Sequence, residues 1–115
     1  MWEVLFTDEF GDWFEGLREA QKDAVIARVG LLETVGPALG RPTVDTIKGS
    51  RHPNMKELRV SKGGAIRVLF AFDPRRHAVL LLGGDKSGRW ASWYIEAIPL
   101  ADKLFDEYLC ETGQT

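Results

Sequence analysis

A lone arginine inside an apolar segment is the first candidate for chemistry in this sequence. Residues 65–72 alternate so that Ile, Val and Phe side chains share one face of a predicted strand, and Arg67 falls on the other face. Its alanine neighbours on that face are small and leave room above the sheet. A guanidinium in such a place can bind a phosphate through two hydrogen bonds. The alternative is a salt bridge to Glu57 or Asp85, because Arg–carboxylate pairs are common.

The cation-rich segment 51–59 is a second candidate. Its side chains with ligand-binding chemistry are Arg51, His52, Lys56, Glu57 and Arg59. Clustered cations repel one another, and an anionic ligand relieves that repulsion. The segment is therefore consistent with a polyanion site. It is equally consistent with a solvated loop and strand edge, where lysines discourage pairing between edges.

The glycine-rich stretch 83–89 is a third candidate, because its predicted turn carries Lys86 and Arg89. Backbone N–H groups of such turns can bind phosphate, and the alternative is an ordinary connection. The spacing of a P-loop is absent, so binding of a nucleoside triphosphate is unsupported. Trp90, Trp93 and Tyr94 follow directly. Aromatic rings beside cations can stack on nucleic-acid bases, and they also commonly anchor a helix to the core.

Other catalytic classes lack their residues in this sequence. Cys110 is the only cysteine, which excludes an internal disulfide and a metal site built from several cysteines. His52 and His77 lack ligand partners at the sequence spacing of a zinc site, and we interpret each as a loop or strand-start residue. The Gly-x-Ser-x-Gly motif of serine hydrolases is absent. We expect neither a metal nor another cofactor.

Length and charge narrow the function further. A chain of 115 residues corresponds to a single domain, to which we assign residues 1–115. The net charge of −2 conceals a segregation, since residues 41–89 carry +7, residues 1–40 carry −5 and residues 90–115 carry −4. This pattern suggests a confined basic site for a polyanion. The apolar runs are too short to span a membrane, and the cysteine content and N-terminal residues favour a reducing cytoplasm.

Hydrophobic periodicity predicts an α+β fold in the order β-α-α-β-β-β-α. Predicted strands cover residues 2–6, 55–60, 65–72 and 77–82, and predicted helices cover residues 8–17, 19–34 and 90–109. The irregular stretch between them, residues 37–54, has short pairing near 44–47. Short turns between consecutive strands imply a small, antiparallel-rich sheet. We expect helices from the two ends of the chain to pack on one of its faces.

These elements and motifs resemble the RelE/HigB superfamily of toxins from type II toxin–antitoxin modules. The sequence is most similar to the phage-derived, HigB-like branch. The resemblance rests on His52–Arg59, with its Lys-Glu-Leu-Arg, and on Ala65–Asp73, with its Ile-Arg-Val-Leu-Phe. The apolar strand at 78–82, the Gly-Gly-Asp-Lys after it and the closing helix also match, so the order of elements agrees over nearly the whole chain.

The resemblance implies a RelE-like fold and a ribosome-dependent endoribonuclease that cuts mRNA during translation. In the family chemistry, the RNA 2′-hydroxyl attacks the adjacent phosphate, without a metal ion. Arg67 corresponds to the family's arginine on the central strand, and Lys86 corresponds to the cation after the next strand. The tyrosine that some members place in the last helix corresponds to Tyr94, with Trp93 or Trp90 as alternatives.

The same resemblance extends to the strand before Arg67. The basic residues of that strand correspond to Lys56 and Arg59, whereas Glu57 stands where several members carry lysine. This carboxylate is either a general base or a structural partner of Arg59. The resulting assignment is catalytic for Arg67, Lys86, Tyr94 and Glu57, and RNA-binding for Arg51, Lys56, Arg59, Arg89 and Trp90.

Partners follow from the resemblance as well. We expect a cognate antitoxin protein, a ribosome with its mRNA, and no membrane. A toxin–antitoxin hetero-oligomer would bind operator DNA through the antitoxin.

Two other functions stay open. The ParE branch shares the scaffold and traps DNA gyrase without catalysis, and an inactive module would retain only antitoxin binding. The cations on the sheet face favour cleavage, because the gyrase-directed branch largely lacks them.

Overall fold

The computed structural model describes residues 1–62 and 64–115. Within them the chain forms five strands, namely β1 (Glu3–Phe6), β2 (Val44–Thr46), β3 (Met55–Val60), β4 (Ile66–Phe72) and β5 (His77–Asp85). The α-helices are α1 (Asp8–Glu15), α2 (Glu19–Val35) and α3 (Trp90–Glu111). The predicted α+β class and element order are confirmed, and the pairing expected near 44–47 is β2. The short turn predicted between the strands at 55–60 and 65–72 includes Gly63, which lies outside the described residues.

The strands form one sheet in the order β1-β5-β4-β3-β2. Three neighbouring pairs are antiparallel, and β1 alone runs parallel to its neighbour β5. The short turn after β4 explains the antiparallel pairing of β4 with β5, whereas β1 is the first strand of the chain and a long connection separates it from β5, as a parallel pair requires. The prediction of a mostly antiparallel sheet is therefore confirmed, with the N-terminal strand as its parallel edge.

Helices cover both faces of the sheet, so the expectation that they pack on one face is wrong. Side chains of α1 and α2 pack with Leu58, Val68 and Phe70, whereas side chains of α3 pack with Leu69 and Ala71. The physical reason lies in β4 and β5, which carry apolar side chains on both faces and must be covered on both. None of the helices in the described part of the chain is long and apolar enough to cross a bilayer.

The helix α3 continues through Pro99. Its C-terminal end is held to the turn between β4 and β5 by side-chain hydrogen bonds. The hydroxyl of Tyr108 donates to the Asp73 carboxylate, and Gln114 Nε2 donates to the same carboxylate over 3.2 Å. Asp73 also accepts from His77 Nδ1 at 2.8 Å and from two backbone N–H groups. We call these four residues (Asp73, His77, Tyr108 and Gln114) the Asp73 lock.

Gly84 lies inside β5, although the sequence suggested a phosphate-binding turn at this place. It pairs with Arg67 across the β4–β5 ladder. The Trp93 indole packs so closely over Gly84 that a Cβ atom there would collide with it. The absence of a side chain at Gly84 therefore lets the first turns of α3 approach the sheet next to Arg67.

Candidate functional site

Charged side chains converge on the face of the sheet that α3 covers. The antiparallel register sets Arg59 of β3 directly opposite Arg67 of β4, and Glu57 lies two residues before Arg59 on the same face. Arg59 Nε donates to Glu57 Oε2 over 3.1 Å, and Arg67 Nε lies 3.7 Å from Glu57 Oε1. The carboxylate is therefore held between two guanidinium groups.

The helix α3 and the segment before it complete the cluster. The backbone N–H of Lys86 donates to the Ala65 carbonyl at the end of the β4–β5 ladder, which places this lysine beside the sheet. The chain then turns into α3, where the Tyr94 hydroxyl donates to Glu57 Oε1 over 2.5 Å. Lys86 Nζ donates to the same Tyr94 oxygen over 3.2 Å. We call Glu57, Arg59, Arg67, Lys86 and Tyr94 the cationic site.

Three cations surround the Glu57 carboxylate in this site, Asp85 adds an electrostatic attraction to Arg67 without contacting it, and much of the cluster is buried. Glu57 is 4% exposed, Lys86 7% and Arg67 9%. Arg67 Nη1 donates to the Ile66 carbonyl over 2.9 Å, but Arg67 Nε has no hydrogen-bond acceptor among the described residues. An unpartnered buried donor next to uncompensated positive charge is costly, and an anionic ligand would relieve both costs.

The environment changes the acidity of two groups in the cationic site. Burial, followed by repulsion from Arg67, lowers the pKa of the Lys86 ammonium. Burial, followed by the hydrogen bond to Glu57, raises the pKa of Tyr94 to about 12. Tyr94 therefore remains a proton donor at neutral pH, and Lys86 releases its proton more readily than an exposed lysine.

Asp45 of β2 forms an outer layer that the sequence analysis missed. Its Oδ2 accepts from Arg59 Nη2 at 3.1 Å and from Arg41 Nη2 at 3.0 Å. Asp45 pairs with Glu57 across the β2–β3 ladder, which explains why it reaches Arg59. A three-residue strand inside an irregular stretch gives too little periodicity for this register to be read from sequence. Asp45 orients Arg59 toward Glu57 without reducing the excess of positive charge, because it also binds Arg41.

Of the five predicted RNA-binding residues, Arg59 lies within the cationic site, and Trp90 and Arg89 border it. The Trp90 ring lies 4.3 Å from Lys86 Nζ, measured to the ring centroid, and is 62% exposed. Arg89 directly precedes α3 and is exposed. Trp93, the alternative to Tyr94, is instead buried in the core beneath α3.

The other two predicted RNA-binding residues lie away from the site. Lys56 follows the period-2 alternation of β3 onto the opposite face from Glu57, and its Nζ donates to the Thr46 hydroxyl over 3.3 Å. Arg51 pairs with Asp106 on α3, which also accepts from His52. Proximity in sequence therefore brought both residues into the predicted set, and the tertiary structure separates them.

Burial of Arg67 changes one expectation. The sequence predicted open space above this side chain on its face of the sheet. The structure covers that face with α3, and Glu57 is the carboxylate within reach of Arg67, as the salt-bridge alternative proposed. Groups of three or more His, Cys, Asp or Glu side chains that could hold a metal do not occur in residues 1–62 and 64–115.

Comparison with known proteins identifies the family. Residues 12–106 match the family model described as "Phage derived protein Gp49-like (DUF891)". The chain is 50% identical over 105 residues to "Putative toxin HigB2" of Mycobacterium tuberculosis, covering 90% of this chain and 52% of that protein. It is 47% identical over 106 residues to "Putative toxin HigB3" of the same organism, covering 92% of both chains. The chain thus spans about half the length of the first relative and nearly all of the second.

Solved structures with a similar fold include RelE toxins. The isolated Escherichia coli RelE toxin matches with a TM-score of 0.61 at 15% identity, covering 86% of this chain and 97% of that one. RelE in the archaeal RelE–RelB complex of Pyrococcus horikoshii matches with a TM-score of 0.57 at 18% identity, covering 76% and 97%. At such identities the likeness establishes the fold, and the sequence relatives establish the family. The chain therefore belongs to the Gp49-like family of HigB toxins and is built on a RelE-like fold.

Proposed function

We propose that this chain is the toxin of a type II toxin–antitoxin system and that it cleaves mRNA bound to the ribosome. The observation that carries the proposal is the excess of positive charge in the cationic site, with Arg67 Nε left without an acceptor. A phosphodiester supplies the missing anion. Arginine and lysine close to a transferring phosphoryl group stabilise the charge that develops in the transition state.

The reaction in this proposal needs no metal ion. The ribose 2′-oxygen forms a bond to the adjacent phosphorus, the bond from phosphorus to the 5′-oxygen breaks, and the products carry a 2′,3′-cyclic phosphate and a 5′-hydroxyl. Arg67 and Lys86 bind the non-bridging oxygens as negative charge grows on them. Removal of charge-stabilising donors of this kind costs about 10²–10³-fold in rate.

Two proton transfers accompany the bond changes. Glu57 accepts the proton of the 2′-hydroxyl, because it is the carboxylate of the cationic site and Tyr94 stays protonated. Lys86 donates the proton to the departing 5′-oxygen, which its lowered pKa favours. Tyr94 positions both groups, since its oxygen lies between Glu57 and Lys86. Arg59 holds the second oxygen of Glu57 and leaves the first directed toward Tyr94 and Arg67.

The exposed residues at the entrance contribute to binding RNA. Trp90 presents an exposed ring above Lys86, and an exposed aromatic ring can stack on a base while the adjacent phosphate enters the site. Arg89 adds a cation next to this ring. A site this small leaves much of the substrate positioning to the ribosome, which is why we propose ribosome dependence.

The cognate partner in this proposal is an antitoxin, and the compartment is the cytoplasm, where ribosomes are. Support comes from solved toxin–antitoxin complexes of similar fold, among them the intact Escherichia coli RelBE complex, with a TM-score of 0.58.

The decisive experiment maps mRNA 5′ ends after purified protein is added to ribosomes programmed with a defined message. We expect cuts within translated codons, and about 10²-fold or greater loss of cleavage in Lys86→Met. Lys103→Met is the matched control, because Lys103 is an exposed lysine of α3 outside the cationic site. Arg67→Ala tests the second phosphate ligand, with circular dichroism as a check on folding because Arg67 is buried.

Each outcome of this experiment has a meaning. Cleavage that persists in folded Lys86→Met would show that the cationic site does not act in catalysis. Efficient cutting of naked RNA would refute ribosome dependence. A folded wild-type protein that leaves the message intact would refute the nuclease, and inhibition of gyrase supercoiling would then favour the ParE-like alternative.

A further inference from the structure

The strand β1 presents an open edge of the sheet. It pairs with β5 on one side, and the backbone N–H groups of Glu3 and Thr7 donate toward that side. Because successive residues of a strand direct their N–H and C=O groups to opposite sides, those of Val4 and Phe6 point to the outer edge. No other strand of residues 1–62 and 64–115 pairs with this edge.

A groove lies on each face of this edge. The first, of about 600 Å³, runs between β1 and α3 over Val4, Leu5 and Leu104. The second, of about 360 Å³, runs between β1, α1 and α2 over Val4, Phe6, Phe14 and Ile26. The apolar surface of the second groove is accessible, since Phe6 is 65% exposed and Ile26 is 59% exposed.

Both grooves have acidic rims. Asp8, Glu9, Glu107 and Glu111 line the first, and Glu15 and Glu33 line the second. Lys, Arg and His are absent among the described residues that line the first groove, whereas Lys22 lies over Phe14 beside the second groove and 3.9 Å from Glu15. This region therefore has the charge opposite to that of the cationic site, and it favours a basic occupant.

We propose that the open edge of β1 binds an extended, basic segment of a partner protein as an added strand. The partner backbone pairs with Val4 and Phe6, and its successive side chains enter the two grooves alternately. Lys and Arg residues of the segment face the acidic rims. Pairing of β1 with β1 of a second copy is disfavoured, because it would bring the acidic rims together.

This surface is separate from the cationic site, because β5 lies between β1 and the Arg67 strand. The partner is an antitoxin only if the proposed function holds; the binding surface stands without it. The test therefore uses binding and leaves cleavage aside. Phage-displayed random peptides are selected on the purified protein, and the enriched sequences are measured individually.

We expect enriched peptides in which apolar residues alternate with Lys or Arg. Their affinity should fall about tenfold in the double variant Glu107→Lys/Glu111→Lys, because opposed charges on the groove rim become like charges. The matched control Asp23→Lys/Glu96→Lys changes the net charge equally, at exposed acids outside both grooves, and should bind as the wild type does. Hydrogen exchange measured by NMR should show new protection at the Val4 and Phe6 amides.

Other results would overturn the proposal. Enrichment of acidic peptides, or a failure of any peptide to enrich, contradicts a basic extended ligand. Equal loss of affinity in both double variants shows a general charge effect. Binding without protection of Val4 and Phe6 places the ligand elsewhere, and a concentration-dependent dimer with those amides protected assigns the edge to a second copy.

Discussion

The cationic site and the Asp73 lock are two versions of one arrangement with opposite outcomes. In each, a tyrosine of α3 donates its hydroxyl to a carboxylate of the sheet, Tyr94 to Glu57 and Tyr108 to Asp73. The two tyrosines are about four helical turns apart, so they lie on the same side of α3. Each tyrosine has its pKa raised to about 12, with burial as the largest cause.

The partners of the two carboxylates differ. Asp73 accepts hydrogen bonds from Tyr108, from Gln114, from the His77 ring and from two backbone N–H groups. Burial raises the pKa of this carboxyl, but the hydrogen bonds, with that from Tyr108 as the largest of them, outweigh burial and lower the pKa to about 2. Glu57 is surrounded by two arginines, with Lys86 bound to the same tyrosine. The Asp73 carboxylate is therefore held by several hydrogen bonds that close the structure, whereas the cationic site has an excess of positive charge.

The comparison shows which feature indicates a ligand. A buried tyrosine–carboxylate pair occurs in both places and by itself indicates packing. Excess positive charge and an exposed ring at the entrance occur only in the first of these two, whereas each region has one buried polar atom without a partner among the described residues, Arg67 Nε and Gln114 Oε1. We therefore expect substitutions in the cationic site to affect cleavage, and substitutions in the Asp73 lock to affect stability.

The largest expected effect is that of Glu57→Gln on cleavage. The amide retains an acceptor for Tyr94 but cannot take the proton of the 2′-hydroxyl, so the rate should fall about 10²-fold or more. RNA binding should tighten at the same time, because a negative charge is removed beside Arg59 and Arg67. Single-turnover cleavage on programmed ribosomes and filter binding measure the two effects, with the exposed Glu96→Gln as control. A wild-type rate in Glu57→Gln would make Glu57 a positioning residue only.

Asp73→Asn should act on stability instead. Its amide NH₂ would face Tyr108 and Gln114, which are donors, so the free energy of unfolding should fall by about 2 kcal/mol. Cleavage by the folded protein should stay at the wild-type rate. Urea denaturation and the ribosome assay measure the two quantities. Loss of cleavage without loss of stability would contradict the assignment of the Asp73 lock to stability and of the cationic site to cleavage.

The acid limb of the stability curve should also depend on Asp73. Because its pKa is lowered from 3.8 to about 2, the charged carboxylate stabilises the folded state at all pH values above about 4. That contribution is lost as the pH falls from about 4 to about 2. Asp73→Asn should flatten this limb of the curve, as followed by urea denaturation at several pH values. An unchanged limb would contradict the proposed role of the carboxylate.

The smallest expected effects belong to Lys56→Ala and Arg51→Ala. Both side chains lie away from the cationic site, and the Arg51–Asp106 pair is too exposed to contribute much to stability. Each variant should cleave within about twofold of the wild-type rate, as expected for surface substitutions. The comparison variant is Arg59→Ala, which should lose far more activity. Equal losses in all three would point to a general electrostatic attraction for RNA.

Part of the site follows from sequence periodicity. Alternation along β3 and β4 places Glu57, Arg59 and Arg67 on one face. Successive side chains of a strand point to opposite faces, so burial of the intervening apolar residues on one face directs these three to the other. The same rule applied to Lys56 would have removed it from the candidates, because it alternates with Glu57. The helical pattern after Trp90 also predicted α3, although not the face of the sheet that it covers.

Other features depend on contacts between distant segments. Asp45 reaches Arg59 only through the β2–β3 register, and Arg51 is drawn to Asp106 by the position of α3. The burial of Arg67 and the grooves beside β1 likewise arise where the ends of the chain pack around the central strands.

The sequence by itself determined the class of the fold, the order of its elements and the cation-bearing face of the central strands, because local periodicity and turn chemistry act over a few residues. It also carried the family resemblance, through short motifs within those strands. Only the tertiary structure decided that α3 closes over Arg67, that Tyr94 and Lys86 meet at Glu57, and that β1 leaves an open acidic edge. These features depend on how long-range packing covers both faces of a sheet with apolar side chains on each, and local pattern does not encode that choice.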